Sequence, residues 1–308
     1  MRLLPRDRGR WGGKPPQSSL CPRPQTRRGF PAWVALCLGL AGASLAHAAP
    51  LPRVASLGVC TDQLVLALAV PEQIVSLSAQ ATDPYLSWLA EAAAPYPRNR
   101  GTAEEVLAAG AEVVLGEAGL NTPALSLLRR LGVTTHAVGL TDDLAVIDAE
   151  TLRVAALIGR LEAGQALVAR GRDLYRALQD TRPSRAPIAV YLQPGGGSAG
   201  QGTFVNTLME VVGLSNLTAA LGRSGWGRLD LEVLQTHPPE RLVLSSFDNG
   251  AQARLTALGR HPVFRRLSAT TPVTVVEGRA WVCSSWILSE AARQLARARA
   301  PEGGGGLP

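Results

Sequence analysis

Between Thr141 and Gln179 the chain runs without a proline, although it carries 22 elsewhere. Leu144, Ile147, Thr151, Val154, Ile158 and Leu161 fall on one face at helical spacing. Thr141-Asp-Asp143 supplies an N-terminal signal. Unbroken, such a helix would reach about 55 Å at 1.5 Å per residue. Gly159, Gly164 and Gly171 each weaken it by roughly 1 kcal/mol relative to alanine, so a bend is open. A helix this long either spans two separate bodies as a strut or lies on the surface of one.

The flanking segments favour two bodies. Before it, strand and helix patterns alternate. Strand signals lie at 53–57, 73–77, 112–115 and 134–138, and helix signals at 61–69, 102–109 and 122–131. Thr102-Ala-Glu-Glu105 is a capping box, and Gly110 and Gly132 close their helices. After it, Thr181-Arg-Pro-Ser-Arg-Ala-Pro187 breaks the pattern and the alternation restarts. Strands are expected at 188–192, 241–245 and 273–277, a flexible loop at 195–202, and helices at 207–212, from 229, over 251–267 and over 285–298. Residues 301–308 read as a disordered tail. Strands separated by short helices make βαβ units and parallel sheets.

The net charge of +7 would invite a nucleic-acid reading, but its location removes it. Residues 1–48 hold eight basic residues against Asp7, which accounts for the whole excess. The remainder is neutral and has no electrostatic footprint for a polyanion. The same 48 residues read as an export signal. Ala32–Ala46 is an apolar run too short for a membrane span, and Ala46-His47-Ala48 is a small-x-small cleavage site. Arg27-Arg28 leaves twin-arginine and general secretion routes both open. Cleavage after Ala48 removes Cys21 and Cys37, and leaves Cys60 and Cys283 either to pair or to stay as thiols.

Catalytic signatures are weak. The 195–202 loop follows a strand but lacks the Gly-Lys-Ser/Thr ending of a phosphate loop. No Gly-x-Ser-x-Gly elbow occurs. His136, His237 and His261 have no ligand spacing and read as structural, so no bare-metal site and no catalytic residue is assigned.

The ordered segments Arg53-Val-Ala-Ser-Leu-Gly58, Thr102-Ala-Glu-Glu-Val-Leu107, Glu112-Val-Val-Leu115, the long helix, Tyr191-Leu-Gln-Pro194, Val211-Val-Gly-Leu-Ser-Asn216, Trp226 and Leu229-Asp-Leu-Glu-Val-Leu234 carry a family likeness. Over 51–298 the chain resembles the periplasmic substrate-binding proteins of ABC importers for ferric siderophores and cobalamin. The resemblance implies an α/β fold of two Rossmann-like lobes with parallel central sheets, joined by one long backbone α-helix, with the ligand cleft between the lobes. The expected organisation is a signal peptide (1–48), an N-terminal lobe (49–140), the connecting helix (141–181), a C-terminal lobe (182–300) and a tail (301–308). It also implies a non-enzymatic periplasmic monomer that binds no nucleic acid. This carrier would take up an iron or cobalt chelate, need no cofactor of its own, and deliver its cargo to a permease dimer with its ATPase. Glu104 and Glu232 match the two family glutamates that pair with permease arginines; as first-turn carboxylates they are also ordinary helix-dipole partners.

Ligands of parallel sheets bind beyond the carboxyl ends of strands. Those loops supply the candidate ligand contacts Cys60, Gln80, Arg98, Arg100, Gln193, Phe247, Arg279, Trp281 and Trp286, joined by Trp226, which matches a family position near the ligand. The arginines suit carboxylate, catecholate or phosphate groups, and the tryptophans suit a planar face. Arg98-Asn99 stands where cobalamin binders can carry an aromatic residue, which leans the reading towards an anionic iron chelate. Heme remains an alternative cargo. A disulfide between Cys60 and Cys283 would lock the lobes, so thiols or a soft contact to the chelate are expected. The rival readings are an extracytoplasmic enzyme with Cys60 as nucleophile, or a sensor using the same cleft.

Overall fold

The computed structural model describes residues 50–193, 195–246 and 260–299. The export signal, Phe247, the helical expectation for 251–259 and the C-terminal tail lie outside the described residues.

Short runs form the first sheet, apolar at its centre and polar at its two edges. The strands are β1 (Val54–Ser56), β2 (Ile74–Ser78), β3 (Arg98–Asn99), β4 (Val113–Glu117) and β5 (Thr134–Val138). All are parallel, in the order β3-β2-β1-β4-β5. Four helices connect them: α1 (Val59–Leu68), α2 (Ala90–Ala93), α3 (Ala103–Ala108) and α4 (Thr122–Arg130). Leu64, Val65 and Leu68 of α1 bury against Val54, Leu77 and Leu115, the continuous apolar pattern of strands covered on both faces. The strand order reverses around β1, so its carboxyl end opens onto a crevice.

The connection differs from a single rod. It consists of α5 (Leu144–Leu157) and α6 (Leu161–Asp180), which fold back on each other. Gly159 makes the turn at φ +72°, a left-handed conformation open to glycine. A Cβ at Gly164 would overlap the Ala155 methyl, so only glycine permits the close approach. Arg172 Nε then meets Asp148 Oδ2 at 2.7 Å, a pairing impossible along one straight helix. The linking helix is therefore α6, and α5 lies antiparallel beside it. Val154 and Ala155 of α5, its C-cap Ile158 and Leu167 of α6 join the N-terminal core. Ile147 of α5 and Leu178 of α6 join the C-terminal one.

The second sheet holds β6 (Ile188–Leu192), β8 (Ser215–Asn216), β10 (Arg241–Ser246) and β11 (Val273–Glu277), parallel in the order β11-β10-β6-β8. Helices α7 (Phe204–Val211), α8 (Leu217–Ala220), α9 (Val233–Thr236), α10 (Pro262–Ser268) and α11 (Leu288–Leu295) accompany it. The glycine-rich segment is not a free loop. It contains β7 (Gly197–Ala199), which pairs antiparallel with β9 (Trp226–Arg228) and sets Ala199 opposite Trp226. The helix expected from Leu229 shortens to α9, which leaves Glu232 at its N-cap without a side-chain capping bond. Both lobes lie within one compact unit. Among the described residues no helix is long and apolar enough to cross a membrane.

Candidate functional site

On the N-terminal lobe, the strand ends carry polar side chains that bind one another. Asp62, in the first turn of α1, accepts the Ser78 N–H at 2.9 Å and the Ser78 hydroxyl at 2.5 Å. Burial pushes its carboxyl up to about 6 against the opposing pull of the Ser78 hydrogen bonds. Asn99 donates to the Ser56 carbonyl and to Ser76 Oγ, both at 2.9 Å. Glu117 accepts the Cys60 N–H at 2.8 Å, and Asn121 Oδ1 accepts the Glu117 N–H at 2.7 Å.

On the C-terminal lobe the strand ends are aromatic. Tyr191 meets Trp281 edge-on at 5.2 Å and Trp226 at 6.3 Å, and Phe204 meets Trp226 at 5.2 Å. Trp281 is 1% exposed and donates its indole N–H to Ser245 Oγ at 2.7 Å, so it belongs to the core and shows only part of its ring. Trp226 is 44% exposed. Burial raises the Tyr191 phenol, whose oxygen accepts from Gln193 Nε2 at 3.0 Å.

Phe204, Trp226 and Trp281 line a cavity of about 440 Å³. Gln193, Phe204, Trp226, Trp281, Val282 and Ser284 form one side, and Leu140, Thr141 and Asp142, from the connection after β5, form the other. Asp143 caps α5 through the Ala145 N–H at 2.7 Å. Its neighbour Asp142 reaches across instead. Asp142 Oδ1 accepts the Phe204 N–H at 3.0 Å, at the start of α7, and the Trp226 indole N–H at 3.3 Å. The volume suits one compact face of a small molecule.

The structure brings Gln193, Trp226 and Trp281 to this cavity. Phe247 lies outside the described residues, and the other sequence candidates go elsewhere. Cys60 and Cys283 form a disulfide with Cα atoms 5.3 Å apart, which corrects the expectation of thiols. The two cysteines sit on facing elements of the two lobes, beside Val59, Leu86 and Val282. A bonded sulfur offers neither a nucleophile nor a soft ligand, so Cys60 leaves the set of ligand contacts and the enzymatic rival loses its attacking group. Gln80 lies exposed on the turn after β2. Arg98 is exposed and donates to Thr82 Oγ1 at 3.3 Å. Arg100 pairs with Glu105 at 3.0 Å. Glu105 sits near the positive end of α3, and its bonds from Arg100 hold its carboxyl below the usual range. Arg279 pairs with Glu277 at 2.7 Å and lies 5.0 Å over the Trp88 ring. Trp286 packs on the N-terminal core and donates its indole N–H to the Gln63 carbonyl at 3.1 Å. Glu104 and Glu232 are both exposed. Sequence reasoning missed Asp142, Phe204 and Leu140. The doubled acid Asp142-Asp143 was the available signal, because a cap requires only one carboxylate. Among the described residues no cluster of three or more His, Cys, Asp or Glu side chains is placed to hold a metal ion.

A family model described as periplasmic binding protein matches residues 54–280. No curated protein sequence matches the chain. Among solved structures, a possible iron-binding (periplasmic solute-binding) protein from Staphylococcus epidermidis superposes with a TM-score of 0.66 at 16% identity, over 80% of this chain and 98% of that one. The periplasmic heme-binding protein HutB of Vibrio cholerae gives 0.64 at 20% identity, over 81% and 99%. The periplasmic heme-binding protein RhuT of Roseiflexus sp. gives 0.62 at 20% identity, over 82% and 100%. At these identities the likeness is one of fold.

Proposed function

The chain belongs to the periplasmic binding protein family, and from that premise we propose that it captures an iron or cobalt chelate and hands it to an importer. Family membership implies an extracytoplasmic location and work alongside an ABC permease and ATPase. The proposal adds an export signal cleaved after Ala48, a working monomer, and a binding role without catalysis. The observation that carries it is the aromatic cavity at the joint of the two lobes. Such a cavity binds by burying a guest's apolar face, which needs no covalent step. The heme-binding neighbours in the fold comparison make heme the second cargo to test.

Glu104 and Glu232 are proposed as the contacts to the permease, one on each lobe. Exposed ion pairs contribute only about 0–1 kcal/mol each, so these would set orientation and encounter rather than grip. The test is a liposome-reconstituted importer fed with purified, chelate-loaded protein. Glu104→Ala combined with Glu232→Ala is expected to leave chelate affinity within twofold and to cut transport and ATPase stimulation about tenfold or more. Transport at the wild-type rate in that double variant would remove the docking assignment. A protein that binds no chelate and stimulates no importer would remove the carrier reading itself.

A further inference from the structure

We infer that the guest of this cavity carries a broad apolar face and an uncharged or cationic rim, and is not an anion. The inference rests on the carrier reading and narrows its cargo. It reverses the lean towards an anionic chelate drawn from the sequence.

Three observations converge. First, both sides of the joint put apolar side chains on the cavity. Trp226 and Phe204 face in from the C-terminal lobe, and Leu140, 79% exposed, stands at the mouth after β5. Second, among the described residues the only charged side chain lining the cavity is a carboxylate, Asp142. The arginines that would meet an anion line no part of it. Arg100 is held by Glu105, Arg279 by Glu277 and the Trp88 face, and Arg98 lies by Thr82.

Third, most N–H donors among the described residues of the wall are already engaged. The Trp226 indole and the Phe204 backbone both donate to Asp142 Oδ1, and the Trp281 indole donates to Ser245. Gln193 gives one of its two amide N–H groups to Tyr191, and the remaining side-chain donors are its second N–H and the Thr141 and Ser284 hydroxyls. An anionic rim would find neutral donors but no cation, and the approach of a second negative charge to Asp142 in partly apolar surroundings is unfavourable. A rim of amide or amine N–H groups needs acceptors, which the Asp142 carboxylate supplies. Asp142 thus acts as a specificity residue, fixing the Trp226 ring and excluding like charge.

The experiment is isothermal titration calorimetry of the mature protein with four probes: cyanocobalamin (neutral), ferrioxamine B (cationic), hemin and ferric enterobactin (both anionic). It is run on the wild type and on Asp142→Asn. Asparagine keeps an oxygen for Phe204 and Trp226 and removes only the charge. The neutral or cationic probes are expected to bind at least about tenfold more tightly than either anion, and Asp142→Asn to raise the anions' affinity about tenfold without raising that of the others. An anionic probe binding tightest to the wild type overturns the inference, as does a charge preference unchanged by Asp142→Asn, while both leave the carrier reading standing. No binding by any of the four defeats the carrier reading, and the inference falls with it.

Discussion

The two lobes share a parallel sheet flanked by helices but finish their strands in opposite chemistries. The N-terminal lobe ends β1, β2, β3 and β4 on Ser56, Ser78, Asn99 and Glu117, and every one of these is bound to a neighbour in the same lobe. The C-terminal lobe gathers Tyr191, Phe204, Trp226 and Trp281 around the end of β6. A polar network satisfied within itself is rigid and has little left for a guest. Aromatic faces with their polar ends tied down still present area to bury. On the proposed carrier reading, recognition falls mainly on the C-terminal lobe, and the N-terminal lobe serves as a stiff plate that closes the other side.

The sharpest way to break this division is within the aromatic set. Trp281→Ala removes a side chain that is almost fully enclosed and leaves Ser245 without its donor. It is expected to cost about 3–5 kcal/mol in urea unfolding. Trp226→Ala, at a half-exposed ring, is expected to cost under about 1 kcal/mol and to weaken chelate binding tenfold or more. Equal stability losses in the two variants would show that the wall is one core cluster rather than a core with a recognition ring.

Next in size is the bridge between the lobes. Cys60–Cys283 closes 223 residues of chain. Replacing both cysteines by serine is expected to destabilise the protein by about 2–4 kcal/mol, because a long loop is freed in the unfolded state. The mature wild type should show no reactive thiol on denaturation without reductant. Two titrating thiols would mean that the plate and the recognition lobe are held only by α5, α6 and packing.

Much of this architecture was readable because it rests on local chemistry. The β1 and β4 runs are apolar up to their last residues, Ser56 and Glu117, as strands buried on both faces tend to be. The Thr102 cap appears as expected, accepting the Glu105 N–H at 3.3 Å, although Glu105 turns its carboxylate to Arg100 instead of closing the capping box. What escaped depends on distant partners. The periodicity of α5 runs on into α6 without a change of phase, so only the conformation of Gly159 reveals the turn. The pairing of β7 with β9 links segments almost 30 residues apart, and a glycine-rich stretch has no side-chain pattern to announce it. Asp142 is an ordinary pre-helix acid until Trp226 and Phe204 are placed beside it. The site was therefore less legible than the fold: it is assembled from loops that meet only once both lobes are in place.

The smallest effect sharpens the comparison most finely. Each lobe pins the first turn of a helix to a strand end. The C-terminal lobe does it with an amide, Asn206 Oδ1 accepting from Asn216 Nδ2 at 3.0 Å. The N-terminal lobe does it with an acid, Asp62 on Ser78. With its carboxyl raised from 3.8 to about 6, Asp62 binds its proton more tightly in the folded protein than in the unfolded chain. Its contribution to stability is therefore complete below about pH 4 and is lost as pH rises through about 6. Above that the ionised group stays buried at a cost of up to about 3 kcal/mol, since each tenfold gain in proton affinity is worth about 1.4 kcal/mol. Asp62→Asn gives the N-terminal lobe the chemistry that the C-terminal lobe already uses. The variant should match the wild type at pH 4 and exceed it by about 1–3 kcal/mol at pH 7.5 in urea melts. Stability curves that stay parallel from pH 4 to 7.5 would mean that Asp62 is ionised in the fold throughout, and that the N-terminal plate holds a charge where the C-terminal lobe holds none.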